Sequence, residues 1–477
     1  MRSLVAASLA LAARACTPAP AAVVVSAPVP SPLSAIPAPP PAPAPAPAPA
    51  PARAARHVVL VSIDGLRPDY YTHADTYHLA IPTLRGLMQR GRYAEAVLAT
   101  WPTVTYPAHT TLVTGARPSK HGILANKPFD PTYKNQSGWN WYAESIKADT
   151  LWAAARRGGK TTGSVYWPVT VGAAIDDNFP QVWRAKVDED DKLLRSLMTP
   201  GLAAAYTQEY GALPAEHRTD HERGNAAELL VREKRHDLTL VYFTDLDDAQ
   251  HAHGPGSREA LRTLEKIDGE LGRVVKAVET AGDTSRTAVM VVSDHGFAKV
   301  TSVVHPATLL RQAGLIEVVA GTVRSWRAGV LAGGGLAAIY LKDPNDQAVR
   351  DRVGQLFDDA ATDPKNGIQA VHRPEVSLRE GGFAGSSFVL EAAAGYEFDA
   401  ALTDRLTGPS SDKGAHGYPP ENPDMYASLI AAGDGIRTGS PLSRVSMLGV
   451  APTVARLLGL TLLDAETGPI LELLAEP

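Results

Sequence analysis

Three apolar runs in this chain each lead into acidic residues. His57-Val58-Val59-Leu60-Val61-Ser62-Ile63 ends at Asp64-Gly65, Leu238 to Phe243 leads into Thr244-Asp245-Leu246-Asp247, and Ala288 to Ser293 leads into Asp294-His295-Gly296. Hard carboxylates beside a neutral imidazole are zinc-compatible ligands, so Asp64, Asp294 and His295 form one candidate metal group. Asp247 and His251 form a second, spaced i to i+4, which places both on one face if the segment opens a helix. Asp245, Asp248 and His253 lie nearby and remain alternatives on spacing alone. His416 stands between Gly414 and Gly417, where the backbone can approach a site closely. Taken singly, each of these residues has a structural reading, as a capping aspartate or a satisfied buried imidazole.

A nucleophile candidate lies in Thr103-Val104-Thr105-Tyr106-Pro107-Ala108-His109. Pro107 suits the first turn of a helix, so Thr105 is expected just ahead of a helix N-terminus, where the positive end of the dipole favours an alkoxide and a phosphate. A threonine hydroxyl is a poor nucleophile until its proton is removed, and direct coordination to zinc does this. Unassisted, Thr105 would be an N-cap.

The elements that must position these groups follow from the same runs. Continuous apolar, β-branched stretches are the kind buried on both faces of a parallel sheet, and ligands bind at the carboxyl edge of such a sheet. Amphipathic segments such as Glu259 to Ala281, with Leu264, Ile267 and Leu271 on one stripe, supply covering helices, and a last helix is expected around Val450–Leu458. The expected architecture is α/β: a mostly parallel central sheet with helices on both faces, in one catalytic domain over residues 56–470. From about 300 to 397 the texture changes, with Gly333-Gly334-Gly335 and an isolated apolar stretch Leu336–Leu341, which predicts an inserted cap subdomain.

The front end differs from the rest. Arg2 precedes a short apolar run, Leu4 to Ala13, which predicts a signal peptide over residues 1–16, too short to span a bilayer as a mature helix. Ala15-Cys16 resembles the lipobox of bacterial lipoproteins, in which a lipidated Cys16 would tether the chain to a membrane; ordinary cleavage would discard it instead. Residues 17–55 are almost entirely Ala, Pro, Val and Ser and predict an extended linker. The expectation is an exported protein, periplasmic, anchored at the outer membrane or extracellular. Lysine plus arginine number 46 against 51 acidic residues, a formal net charge of -5, so there is no basic surplus for a nucleic-acid polymer. Cys16 is the only cysteine, which leaves nitrogen and oxygen to hold any metal in the body of the chain.

Further motifs stand in order: Ser62-Ile63-Asp64-Gly65, Thr105-Tyr106-Pro107-Ala108-His109, Leu112-Val113-Thr114-Gly115, His121-Gly122-Ile123, Gly254-Pro255, Ser293-Asp294-His295-Gly296 and His416-Gly417-Tyr418. From His57 to Leu460 the chain resembles the nucleotide pyrophosphatase/phosphodiesterases, a branch of the alkaline phosphatase superfamily. The resemblance implies an alkaline phosphatase-like fold and two Zn2+ per chain, one held by Asp247, His251 and His416, the other by Asp64, Thr105, Asp294 and His295. It also separates His251 from its neighbours, because the family pattern sets the histidine three residues before Gly254-Pro255.

The implied reaction is hydrolysis of a small-molecule phosphate ester, a diester or pyrophosphate of nucleotide type, through a phospho-threonine on Thr105. Tyr106 and Trp167 resemble positions lining the substrate pocket. Where nucleotide-cleaving members carry an asparagine that binds a phosphate oxygen, this chain has Ala108, so Asn126 or a backbone amide would have to serve. A phosphomonoesterase on the same site is the alternative, and would need positive groups near the phosphate; Arg67, Lys120 and Lys127 are closest in sequence. A non-catalytic tethered binding protein would be expected to lack at least one of the six ligands or Thr105, and all are present.

Overall fold

The computed structural model describes residues 57–135, 138–182, 188–213 and 219–475. The expected signal peptide, Cys16 and the linker lie outside these residues.

Seven strands form the central sheet: β1 (His57–Ile63), β2 (Gly91–Tyr93), β3 (Thr162–Val165), β4 (Asp177–Phe179), β5 (Leu238–Phe243), β6 (Thr287–Val292) and β7 (Leu429–Gly433), in the order β2-β7-β6-β1-β5-β3-β4. β1 runs parallel to both β5 and β6, with Ile63 opposite Phe243 and Ser62 opposite Val292, and β3 runs parallel to β4 and β5. Only β7 runs antiparallel to its neighbours β6 and β2. This register brings the residues just past β1, β5 and β6 to one edge, which is how acids far apart in sequence come to share a crevice.

Alternation along β1 shows why the strand is apolar throughout. Val59, Val61 and Ile63 pack into one core with Leu264, Ile267, Leu271 and Val274 of α4 (Arg258–Thr280). Val58 and Leu60 face the opposite core, beside Val454, Leu457 and Leu458 of α5 (Val450–Leu458). Both faces are thus covered, and the hydrophobic gain comes from two layers at once. α4 starts at Arg258 because Ser257 caps it, its side chain accepting the N–H of Ala260.

Between β6 and β7 the chain leaves this sheet, from Ala298 onward. Ala328–Gly333, Leu336–Leu341, Phe388–Ala392 and Ile368–His372 form a separate four-stranded antiparallel sheet. Its core of Val330, Ile339, Phe357 and Leu390 is distinct from the two above and continues to Tyr418 and Met425. Among the described residues no helix is long and apolar enough to cross a membrane.

Candidate active site

Asp64 follows β1 directly, Asp294 and His295 follow β6, and Asp247 and His251 ride α3 (Asp245–His253), the helix that opens straight after β5. The i to i+4 spacing is therefore helical, and His251 Nε2 stands 3.5 Å from Asp247 Oδ2. Thr105 is the first residue of α1 (Thr105–Thr114), one position further in than expected, with extended Val104 ahead of it. Its hydroxyl lies 3.5 Å from His295 Nε2. His416 reaches the same place from a glycine-flanked loop, and its ring stacks on His295 at 3.7 Å between centroids. The glycines here are sterically required: a Cβ on Gly417 would lie 1.6 Å from the carbonyl oxygen of Gly333.

Two groups of donor atoms converge, Asp64 with Asp294 and His295, and Asp247 with His295 and His416; within each group the atoms lie within 4.8 Å of one another. His295 Nε2 is 3.3 Å from Asp64 Oδ1 and 3.2 Å from Asp294 Oδ2, and His416 Nε2 is 3.9 Å from Asp247 Oδ1. His295 thus sits between the groups, whereas His251 stands beside Asp247 outside the tightest cluster.

The three imidazoles are oriented alike. Nδ1 of His295 faces the carbonyl of Gly296 at 3.0 Å, Nδ1 of His416 that of Thr103 at 3.1 Å, and Nδ1 of His251 that of Gly414 at 2.9 Å. A carbonyl only accepts, so each Nδ1 carries the proton and each Nε2 turns a lone pair into the site, the arrangement found behind metal-bound histidines. The carboxylates are short of donors: Asp64 Oδ1, Asp247 Oδ1 and Asp294 Oδ2 are buried with no hydrogen-bond partner.

Electrostatics follows. Burial and then the charge of Asp247 push Asp64 well above the usual carboxylate range, although the Tyr242 hydroxyl donates to it. Burial and Asp64 do the same to Asp294, and burial pushes Asp247 up to about 7. Burial and neighbouring imidazoles hold His295 far below its ordinary value and His416 down at about 3. Clustered carboxylates with oxygens short of hydrogen-bond donors, and His295 and His416 held neutral beside them, offer lone pairs that a divalent cation would satisfy, so the donor set fits zinc or a similar ion.

A cavity of about 210 Å3 opens beside Thr105 and is lined by Asp64, Tyr106, Asn126, Trp139, Gln181 and Tyr242 as well as Asp247, His251 and His416. Asn126 accepts the Tyr106 N–H at 2.8 Å through Oδ1, which leaves its NH2 as donor at the start of α1. Tyr106 lies 5.2 Å from Trp139, ring to ring. Two expected substrate contacts are not brought here. Ala108 is fully enclosed in the core under the sheet. Trp167 is equally enclosed, its indole N–H pointing to the His109 carbonyl at 3.4 Å. The reason is helical geometry: three residues on from Thr105, Ala108 faces the body of the protein. Of the basic residues considered, Arg67 is occupied by Asp69, Asp424 and the Phe297 carbonyl, and Lys120 donates to the Asp464 carbonyl at 2.7 Å.

Trp139, Gln181 and Tyr242 were not anticipated. Tyr242 sits in an apolar strand run, where its hydroxyl and that of Thr239 are the polar signals; Gln181 and Trp139 lie in loops without periodic pattern. Gln181 is held by Arg223, whose guanidinium also donates to the Tyr242 carbonyl at 3.1 Å.

The profile of the family described as type I phosphodiesterase / nucleotide pyrophosphatase matches residues 58–419. Human ectonucleotide pyrophosphatase/phosphodiesterase family member 1 is 26% identical over 247 residues, 50% of this chain and 23% of that protein. Human family member 5 is 29% identical over 251 residues, 51% of this chain and 45% of that protein, so the matched segment spans under half of either relative. Among solved structures, human ectonucleotide pyrophosphatase/phosphodiesterase 5 superposes with a TM-score of 0.64 at 22% identity, covering 87% of this chain and 98% of that one. An inactive form of the murine protein in complex with AMP gives the same TM-score and identity, covering 88% and 100%. The fold is alkaline phosphatase-like, as expected.

Proposed function

This chain belongs to the type I phosphodiesterase / nucleotide pyrophosphatase family, and from that premise we propose that it is an exported, metal-dependent hydrolase of phosphate diesters with Thr105 as its nucleophile. The observation that carries the reading is the placement of the Thr105 hydroxyl: at the first turn of a buried helix, 3.5 Å from His295 Nε2, beside carboxylate oxygens that have no donor. The solved murine relative described as inactive carries a threonine-to-alanine change, which agrees with a threonine at the centre of the chemistry.

Asp64, Asp294 and His295 with Thr105 would hold one divalent cation, and Asp247, His251 and His416 the other. Bound there, such ions would lower the pKa of the threonine hydroxyl and neutralise charge on the oxygens of the reacting phosphate. Thr105 Oγ gives up its proton to solvent and forms a bond to phosphorus as the ester P–O bond opposite breaks, and the leaving oxygen takes the electron pair and then a proton from solvent. Water next attacks the phospho-threonine, the P–Oγ bond breaks, and Thr105 recovers its proton. The N-terminus of α1 and the Asn126 amide NH2 face the non-bridging oxygens, the role that Ala108 has no side-chain donor to fill. The nearby His109 ring, buried and pushed down to about 3, hydrogen-bonds the Thr105 carbonyl through Nδ1 at 2.8 Å and so fixes the backbone that carries the nucleophile.

A diester is favoured over a monoester by charge. Among the described residues lining the Thr105 cavity there is no lysine or arginine to meet a second negative charge on phosphorus. The test is a paired rate comparison of bis-p-nitrophenyl phosphate with p-nitrophenyl phosphate on the zinc-loaded protein. The diester is expected to exceed the monoester in kcat/KM by about tenfold or more, with both rates lost in chelator. A monoester preference would overturn the diester reading, and rates indifferent to chelator would remove the metal.

A further inference from the structure

The Thr105 cavity opens into a larger one of about 600 Å3, and the two share Asn126, Trp139, His251 and His416. The larger cavity touches neither Thr105 nor Asp64 nor Asp294. In-line displacement sends the departing oxygen away from Thr105 Oγ, and of these two cavities only the second has no Thr105 on its wall, so it is the one that suits the leaving arm of a diester if the proposed reaction holds.

Its walls select among leaving arms. Most of the surface is small and apolar, from Ala332, Gly333, Phe398, Ala400 and Ala401. Two carboxylates line it, Glu397 and Asp399, against one lysine, Lys127, which stands over the Trp139 ring at 5.7 Å. Asp412 stands behind the wall with its carboxylate 3.3 Å from Nδ1 of the lining His251, and the two are paired, so the acidic surplus is that of Glu397 and Asp399 over Lys127. Glu397 accepts from the Ser410 hydroxyl, and Asp399 lies 2.5 Å from His305 Nδ1, so both side chains are held in place. A pyrophosphate leaving group would carry several negative charges into a low-dielectric cleft that already has a net acidic wall, whereas an alcohol would carry none.

We infer that this second cavity is the leaving-group site and that its acidic, apolar wall makes the protein a phosphodiesterase for uncharged or cationic alcohols rather than a pyrophosphatase. The inference rests on the diester reading above and adds the identity of the departing group.

The test holds the transferred group constant. Thymidine 5′-triphosphate and the p-nitrophenyl ester of thymidine 5′-monophosphate deliver the same thymidylyl group to Thr105 and differ only in what leaves. With the full-length, metal-loaded protein, kcat/KM for the ester is expected to exceed that for the triphosphate by about a hundredfold. The ratio of triphosphate to ester should rise about tenfold in Glu397→Gln with Asp399→Asn, since two charges leave the wall. Glu397→Gln alone, which keeps an acceptor for Ser410, should give part of that rise if the double variant folds poorly. Triphosphate binding to the turnover-deficient Thr105→Ala chain should tighten by a similar factor when the two carboxylates are neutralised. Equal rates on the two substrates, or a ratio unmoved in folded variants, would overturn the inference while leaving the diesterase standing. Cleavage of neither substrate would overturn the diesterase reading and this one together.

Discussion

Asp64, Asp294 and His295 stand at the ends of adjacent strands with their side chains almost sealed from solvent, whereas Asp247, His251 and His416, with 16, 29 and 11% of their side chains exposed, ride a helix and a glycine-flanked loop. The first half is held by ladders on both sides of β1 and cannot shift without breaking the sheet. The second depends on how α3 and the His416 loop are seated. α3 is fastened at its start by Asp220, which accepts the N–H groups of Thr244 and Asp245 at 2.7 and 2.9 Å, while Asp245 in turn accepts the Asp220 N–H at the start of α2 (Asp220–Leu229). A strand edge preorganises ligands; a capped helix holds them at a position that one lost cap could move.

Removing one ligand from each half should expose the difference between them. Asp294→Ala should lower kcat/KM by about a thousandfold and resist rescue by added zinc, whereas His251→Ala should lose about ten- to a hundredfold and recover in part as zinc is raised. Equal losses with equal rescue would mean that the two halves are not different in kind.

Metal removal sharpens the contrast through pH. In the chelated protein the folded state keeps protons on Asp64, Asp294 and Asp220, the last pushed up to about 8 by burial and then Asp245. Burial draws His251 down, but Asp247 and Asp412 outweigh it and push it up to about 9. The unfolded chain releases the carboxyl protons near pH 4, so the folded state binds more protons and stability falls as pH rises. Below about 6.5 the buried histidines His109, His121, His295 and His416, all held low, oppose this trend. The clean window is therefore about pH 6.5 to 8, where each group still protonated in the fold costs about 1.4 kcal/mol per pH unit. Thermal melts of the chelated protein should fall across that window and those of the zinc-loaded protein should be flatter; parallel curves would show that no cation relieves the cluster.

The smallest effect is expected at Tyr242, whose hydroxyl donates to Asp64 Oδ2. Tyr242→Phe should weaken binding of the metal at the strand-end group by about tenfold, with little change at the other, in a titration that resolves two sites. An equal change at both would place Tyr242 in general packing instead.

The strand-end half was readable in the sequence almost residue by residue. Strands buried on both faces are continuous apolar runs, and β1 and β5 begin and end where those runs do. The third strand, Thr287–Val292, is offset by one residue from its run, and Ser293 just past its end donates its hydroxyl to the Leu66 carbonyl at 2.8 Å. The helix and loop half needed more than spacing, since Asp245, Asp248 and His253 share the neighbourhood of Asp247 and His251 and only the resemblance separated them. Least readable was the wall of the Thr105 cavity. Ala108 and Trp167 faced the core instead, and Trp139, Gln181 and Tyr242 took those places from three separate segments. Cleft walls are assembled from positions that share no period, so pattern carries little information about them.

Covalent phosphorylation of Thr105 during turnover is the step on which the proposed mechanism stands. Acid quenching of the zinc-loaded protein during hydrolysis of bis-p-nitrophenyl phosphate, followed by peptide mass mapping, tests it most directly. The account predicts a p-nitrophenylphosphoryl group on the peptide containing Thr105, absent with chelator and absent in Thr105→Ala, whose metal content stays near that of the parent while turnover falls by about a thousandfold or more. An unmodified Thr105 peptide together with a Thr105→Ala protein that hydrolyses the diester at the parent rate would contradict it.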